Sequence, residues 1–432
     1  MTDERFRIAH GSIPAPVRGV CETLHRAGHG AWIVGGCVRD LLLGRAVADW
    51  DVCTSARPEQ VQRLFGHVIP TGIKHGTVTV VLDRVHYEVT TLRGEGAYTD
   101  GRRPDEVFFV DDVREDLARR DFTVNAIAFD VARDEFMDPF EGRVDLSRRV
   151  VRAVGDANER FREDGLRVLR AARFCATLEF ELDAATRDAI RPNLPTFRRV
   201  SRERVHDEWL KAMKAKRPSR AFVVMNDTGI LDEINADLAQ TSRLQAPQFN
   251  GTFFDLHLAV MDSIPPGDAI LRLAALFLAM PEKHVQRYAK DNKFSVRDGA
   301  RLAHLTECVR TLPRDASDGA LRRWLKRATR GAVTEIALLA RALASAKQSD
   351  ELAEVNAALT RVDDIVVRRD PIEPGELAVD GEDLQRELGL APSRELGVVL
   401  RALMDAVLDD PALNTRNSLL ELARTTLARG AH

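Results

Sequence analysis

Two aspartates one residue apart, Asp49 and Asp51, flank a tryptophan in the stretch Ala31 to Thr54, AWIVGGCVRDLLLGRAVADWDVCT. On a strand, alternating side chains would put both carboxylates on one face, with Trp50 packed behind. Two adjacent acids repel, and a hard divalent cation relieves this because it prefers carboxylate oxygens and keeps positions for water or phosphate. Gly35 and Gly36 precede a short predicted helix, Cys37 to Leu43, and backbone N–H groups opening onto a helix start can cradle an anion. Taken singly, the acid pair reads as a solvated strand end and the glycines as an ordinary turn. Together they favour a cation beside a phosphate, the equipment of nucleotide chemistry. Glu88, among Tyr87, Val89 and Thr90, is either a strand residue facing water or the third carboxylate of a two-ion site.

Further along, RRDFTVNAIAFD (119–130) places Asp121 where it can cap a helix with Phe122, Ile127 and Phe129 on its apolar face. Arg119 and Arg120 are either surface charge or partners for a triphosphate. The predicted helix Asn158 to Ala176 carries Asp164, Arg167, Arg170 and Arg173 at intervals of three, so neighbours share an edge. An acceptor beside a row of donors can read the edge of a base or form ordinary i, i+3 salt bridges; spacing alone favours the salt bridges.

These residues need elements to hold them. The pattern predicts an amphipathic helix over 14–29, a strand at Ala31 to Val34, a second strand carrying Asp49-Trp50-Asp51, and a helix from Pro58 to Phe65. GTVTVVL and HYEVTTL form a hairpin turning at Asp83-Arg84. Residues 94–106, GEGAYTDGRRPDE, read as a long mobile loop. Turns at Asp138-Pro139 and Glu141-Gly142 place a hinge within 138–156, and beyond it the pattern is helical almost throughout.

The 432 residues allow two to four domains. No apolar run reaches membrane-spanning length and the N-terminus lacks a signal-peptide core, so the expected home is the cytoplasm. Five scattered cysteines without a C-x-x-C pair suggest neither disulfides nor zinc. A net charge of −3 does not announce a nucleic-acid binder, yet a basic run (Arg198, Arg199, Arg202, Arg204, Lys211, Lys214, Lys216, Arg220) supplies either a local footprint or a solvated helix face.

GGCVRD (35–40), DWD (49–51), EVTTLR (88–93), DGRRPDEV (100–107), RRDFTVNAIA (119–128) and EDGLRVLRAARF (163–174) stand in the order and spacing of bacterial class II tRNA nucleotidyltransferases. SRERVHDEWLKAM (201–213) and the segment 377–408 extend the resemblance to nearly the whole chain. It implies an α+β protein: a head similar to the polymerase β nucleotidyltransferase fold with a mixed sheet (1–145), then all-α neck (146–235), body (236–330) and tail (331–432). Asp49 and Asp51 would be Mg2+ ligands of a two-ion site, with Glu88 the accompanying acid. Gly36 and Arg39 would hold the triphosphate, with Gly35 of the same turn also nucleotide-binding, and Arg120 and Asp121 would lie near its sugar. Asp164 and Arg167 would read the base of CTP or ATP, with Arg170 and Arg173 beside them, which reverses the balance on that helix. The partners implied are tRNA, CTP and ATP, with no membrane; nothing in the sequence speaks for a particular oligomeric state. Poly(A) polymerases share the head, and C-only or A-only addition, or a tRNA-binding protein with an inactive head, are the other readings. Where many relatives carry a His-Asp hydrolase pair, this chain has Phe277-Leu278, so a helical body without hydrolase activity is expected, with His257, His284 and His304 as core or surface histidines. Arg322, Arg323, Lys326 and Arg327 are candidate phosphate contacts.

Overall fold

The computed structural model describes residues 8–73, 76–95, 107–347, 349–389 and 394–430. Two compact units divide the chain, Met1–Ala236 and Asp237–His432. The first opens with α1 (Ala15–Arg26), β1 (Ala31–Val34), α2 (Gly36–Leu42), β2 (Asp51–Thr54), α3 (Pro58–Leu64), β3 (Val68–Gly72), β4 (Thr77–Leu82) and β5 (Val85–Thr91). It continues through β6 (Arg93–Glu95), β7 (Val107–Phe109), α4 (Val113–Ala118), β8 (Ala128–Asp130) and β9 (Glu135–Met137). Seven of these strands form one sheet in the order β3-β4-β5-β2-β1-β8-β9. Only the β2/β5 pairing is parallel, so the sheet is mixed, as expected.

Strand register explains the two faces. Ile33, Val52, Val89 and Val78 are successive partners and form a fully buried apolar row. One residue out of phase, Asp51, Glu88 and Thr79 form a polar row on the other face. Beyond Asp51 on that face lies a core of Val34, Cys53, Val113 and Leu117. At Asp83-Arg84 both residues have positive φ, 49° and 65°, the primed-turn geometry that matches strand twist.

Three expectations need correction. Asp49 is not on a strand: β2 begins at Asp51, and Asp49 lies in the irregular segment before it. Residues 119–130 do not form a helix. Phe122 is extended and bridges Ala153, a single 3₁₀ turn covers Thr123–Asn125, and Ala128 joins the sheet against Val34. The long helix at 158–176 is two helices, described below. The expected mobile loop falls mainly on 96–106, outside the described residues.

The segment placed as a hinge contains α5 (Gly142–Arg148) and β10 (Val150–Val151), and the Asp138 carboxylate accepts the N–H groups of Gly142 and Arg143. Then come α6 (Ala157–Glu163), α7 (Leu166–Thr177), β11 (Glu181–Leu182), α8 (Ala184–Asp188), α9 (Leu194–Phe197), α10 (Arg202–Ala212), α11 (Ser219–Thr228) and α12 (Ile230–Ile234). The β10/β11 pair is parallel, a small departure from an all-α neck.

Between α6 and α7, Asp164 is extended (φ −140°, ψ 108°) and its Oδ1 accepts the Leu166 N–H, starting the new helix as a capping residue does. Gly165 permits the break to pack closely: a Cβ there would lie 2.6 Å from the backbone C and O of Thr196. We expect Gly165→Ala to destabilise the protein by about 1–3 kcal/mol, as overpacking does, and to lower activity by displacing Asp164. Urea melts beside an activity assay check this; a variant as stable and active as the parent contradicts it.

Described residues of the second unit form α13 (Ala236–Gln240, which starts at the boundary), α14 (Phe253–Ser263), α15 (Ala269–Leu276), α16 (Glu282–Asp291), α17 (Val296–Arg310), α18 (Asp318–Ala328), α19 (Val333–Ala346), α20 (Glu351–Arg368), α21 (Gly381–Leu388), α22 (Arg394–Asp409) and α23 (Arg416–Gly430), with short 3₁₀ turns and no strand. Phe277 and Leu278 are buried. His257 is also buried, which pushes its pKa down to about 4. His284 is on the surface, 3.1 Å from Asp237, and His304 bonds the Ala328 carbonyl at 2.9 Å. Arg322 is buried on Asp370 and the Leu408 carbonyl, and Arg323 pairs with Asp409. Of the four cations proposed there for phosphate contact, these two are thus engaged within the fold. All five cysteines are buried and unpaired. Burial pushes the thiols of Cys21 and Cys175 up to about 12, those of Cys37 and Cys308 to about 11, and Cys53 well above its ordinary value.

Candidate active site

Asp51 and Glu88 face each other across the parallel β2/β5 pair. Burial pushes the Asp51 carboxyl above its ordinary value; Arg120 opposes this, while Glu88 and then Asp49 raise it further. Asp51 therefore feels both of the other acids as well as the Arg120 cation. Among the described residues no three His, Cys, Asp or Glu side chains form a ready-made metal cage. Mg2+ needs none: it binds through one or two carboxylates plus water and substrate phosphates, and an all-oxygen donor set of neighbouring carboxylates fits it.

Over the Gly35-Gly36 turn the structure places guanidinium groups. Gly35 has φ 78°, and a Cβ there would lie 2.8 Å from the Arg120 Nη1. Its own N–H donates to the Ile127 carbonyl at 3.1 Å, so the expected anion cradle cannot use it without losing that bond. Arg120 is steadied by Asp116, a fully buried carboxylate on α4, at 3.2 Å. Burial raises the Asp116 carboxyl, but Arg119 and Arg120 outweigh it and hold the group below its usual range.

A chain of hydrogen bonds runs from α2 to α7. Arg39 donates to Asn125 Oδ1 at 2.6 Å and to both oxygens of Asp40 at 2.9 Å. Asn125 Nδ2 donates to Asp121 Oδ1 at 3.0 Å, and Arg170 donates to Asp121 Oδ2 at 2.8 and 2.5 Å. Burial pushes the Asp121 carboxyl up, but Arg170, Asn125 and Arg167 outweigh it and hold the group well below the usual carboxylate range. Arg173 pairs with Glu208, which also lies near Arg170 and Lys211. The guanidinium groups of Arg39, Arg170 and Arg173 lie 5.5, 5.4 and 3.8 Å from the centre of the Phe174 ring.

Asp164 and Arg167 stand beside this chain, each held by another residue. Arg204 on α10 grips both Asp164 oxygens, at 3.1 and 2.6 Å. Arg167 Nη1 donates to Glu163 at 2.5 Å, and Nη2 donates to the Arg119 carbonyl at 2.8 Å. Its Nε–H makes no hydrogen bond among the described residues. The single helical edge expected for Asp164, Arg167, Arg170 and Arg173 is thus an edge of three arginines on α7, with Asp164 on the break before it.

Sequence reasoning missed Asp116, Asn125, Glu163 and Glu208, and named Arg204 only within a basic run, not as the partner of Asp164. Three of these carried a signal, since Asp116 and Arg120, Asp121 and Asn125, and Glu163 and Arg167 are each four apart. Arg204 and Glu208 act over 40 and 35 residues, beyond any local pattern.

The chain matches the description "Poly A polymerase head domain" over residues 31–152, an RNA- and SrmB-binding site of polymerase A over 179–241, and a tRNA nucleotidyltransferase domain 2 over 268–423. It is 36% identical over 405 residues to a CCA-adding enzyme of Lactobacillus delbrueckii subsp. bulgaricus, covering 93% of this chain and 95% of that one. The chain belongs to the CCA-adding enzyme family. Identity to the Geobacillus kaustophilus member is 49% over 212 residues, 49% of this chain and 52% of that one. Among solved structures, the Bacillus stearothermophilus CCA-adding enzyme in complex with CTP is similar with a TM-score of 0.72 at 29% identity, over 97% of this chain and 100% of that one. The family assignment agrees with the α+β nucleotidyltransferase head and helical remainder described above.

Proposed function

We propose that the protein adds CCA to the 3′ end of tRNA from CTP and ATP without a nucleic-acid template, with head, neck, body and tail at 1–145, 146–235, 236–330 and 331–432. The observation that carries this reading is one compact unit in which Asp51 pairs with Glu88 across two strands and Arg120 lies over the Gly35 turn, while Asp121 and Arg170 link the triphosphate-side Arg39 to the helix bearing Arg167. The reaction is attack of the tRNA 3′-hydroxyl on the nucleotide α-phosphate, with pyrophosphate leaving. Asp49 and Asp51 would hold Mg2+, with Glu88 beside them; when bound, the ions lower the pKa of the hydroxyl and neutralise phosphate charge.

The side chains have distinct parts. Arg39 binds the triphosphate and Arg120 lies near its sugar, and Asp121 holds Arg170 and, through Asn125, Arg39 in place. Asp164 accepts from the exocyclic amino group of the base, since a carboxylate held by Arg204 keeps unused lone pairs. Arg167 donates to a ring nitrogen or carbonyl, with its Nε–H available. Cytosine and adenine both present an amino group there; uracil and guanine present a carbonyl, which Asp164 repels. With tRNA as substrate, we place the activity in the cytoplasm; no described helix is long and apolar enough to cross a membrane.

The decisive assay offers the full chain a tRNA lacking CCA, with CTP, ATP or both plus Mg2+. Two C residues from CTP alone and completion to CCA with both nucleotides are expected. Run-on addition of A, or arrest after CC with both nucleotides present, contradicts the reading. Arg167→Ala should lose about 10- to 100-fold of discrimination against UTP and GTP, the scale of one good base contact, with tRNA affinity held. Unchanged discrimination removes Arg167 from base selection.

A further inference from the structure

On the same unit, the end of α7, β11, α8 and the start of α11 enclose an open notch of about 180 Å³. Three arginines line it: Arg187, Arg217 and Arg220. None of them belongs to the nucleotide cluster. Arg220 is fixed at the back, its Nε donating to the Cys175 carbonyl at 3.1 Å and its Nη2 to the Phe180 carbonyl at 3.0 Å. Arg187 and Arg217 are exposed at the rim. The acids opposing Arg220 and Arg187 are weakly placed. Glu181 reaches Arg220 at 2.6 Å but is 78% exposed, and Asp227 is 3.7 Å from Arg187, beyond hydrogen-bonding distance. Val223 forms an apolar wall that is unusually exposed for its type.

Guanidinium groups are suited to phosphate because their planar forks donate two bonds at once. An apolar wall beside them suits the carbon face of a ribose. The notch is smaller than the roughly 300–1,000 Å³ of a pocket that encloses a free small molecule, so it fits a backbone segment lying across it better than a nucleoside triphosphate within it. The RNA-binding match over residues 179–241 spans every arginine in it. We propose that this notch seats a backbone phosphate of the tRNA, with the adjoining ribose against Val223. The proposal rests on the tRNA-adding reading above and gives Arg220 of the basic run, with Arg187 and Arg217, a specific contact.

The test measures binding of the full chain to tRNA lacking CCA by fluorescence anisotropy across about 50–200 mM KCl, the range over which phosphate contacts are most visible. Arg187→Ala/Arg217→Ala should bind roughly tenfold more weakly, and the slope of log affinity against log salt should be shallower by about one for each arginine removed. The KM for CTP should hold, and Arg187→Lys/Arg217→Lys should restore the slope by restoring the charge. Parental affinity and slope in the alanine variant overturn the proposal. So does a raised KM for CTP with tRNA affinity unchanged, which would assign the notch to free nucleotide. A parent chain that binds no tRNA removes the tRNA reading itself, and the notch with it.

Discussion

Asp51→Asn should abolish CCA addition, lowering the rate by at least about a thousandfold, while tRNA affinity stays at the parental level. The same change should raise Tm. Asp51 sits against Glu88 and within reach of Asp49, with burial disfavouring its charge and only Arg120 opposing, so removing that charge relieves the folded state. A rise of about 2–4 °C is expected, the shift that roughly 1 kcal/mol produces in a unit of this size. Adding MgCl2 separates this account from a general packing effect. The parent should gain thermal stability from the ion by mass action, and Asp51→Asn should gain little. Equal gains in both proteins would take Asp51 out of the ion site, and retained activity would take it out of the reaction.

Asp121→Ala should be the most destabilising change in the nucleotide cluster. It leaves Arg170 with Glu208 at 3.8 Å as its remaining ion pair and leaves Asn125 Nδ2 without its acceptor. Breaking a buried pair from one side costs about 3–5 kcal/mol; a value near 3 is expected here because the Arg170 side chain is 30% exposed. The pH dependence follows from the direction of the shift. The folded Asp121 carboxyl is held well below its unfolded value near about 3.9, so its contribution is complete at neutral pH and is lost as the solution falls below about pH 4. Urea melts from neutral pH to the acid limb should show a shallower decline in Asp121→Asn than in the parent. The KM for both nucleotides should rise with it, because Arg39 reaches Asp121 through Asn125. Parallel acid limbs would show that Arg170 does not set the Asp121 charge.

Legibility in the sequence followed the range of the interaction. Ala31–Val34, the Gly35-Gly36 turn and the Asp83-Arg84 hairpin were readable because local alternation and turn chemistry decide them. The 119–130 segment misled because its apolar spacing is compatible with a helix, whereas Phe122 is drawn to Ala153 and Ala128 to Val34 by the sheet. Asp164-Gly165 carried a warning in its own composition, two weak helix formers in succession, that the regular spacing of arginines concealed. The acids and bases of the candidate site were recognisable as a set through family motifs. Their pairing was not, since Arg170 meets Asp121 across 49 residues and Arg204 meets Asp164 across 40.

Because every thiol is interior and held protonated, alkylating reagents should leave the native protein untouched and label it only as it opens. Cys21, Cys37, Cys53 and Cys175 belong to the first unit and Cys308 to the second. The time course of blocking at each position is therefore a native clock, one that times the loosening of either half without an added probe.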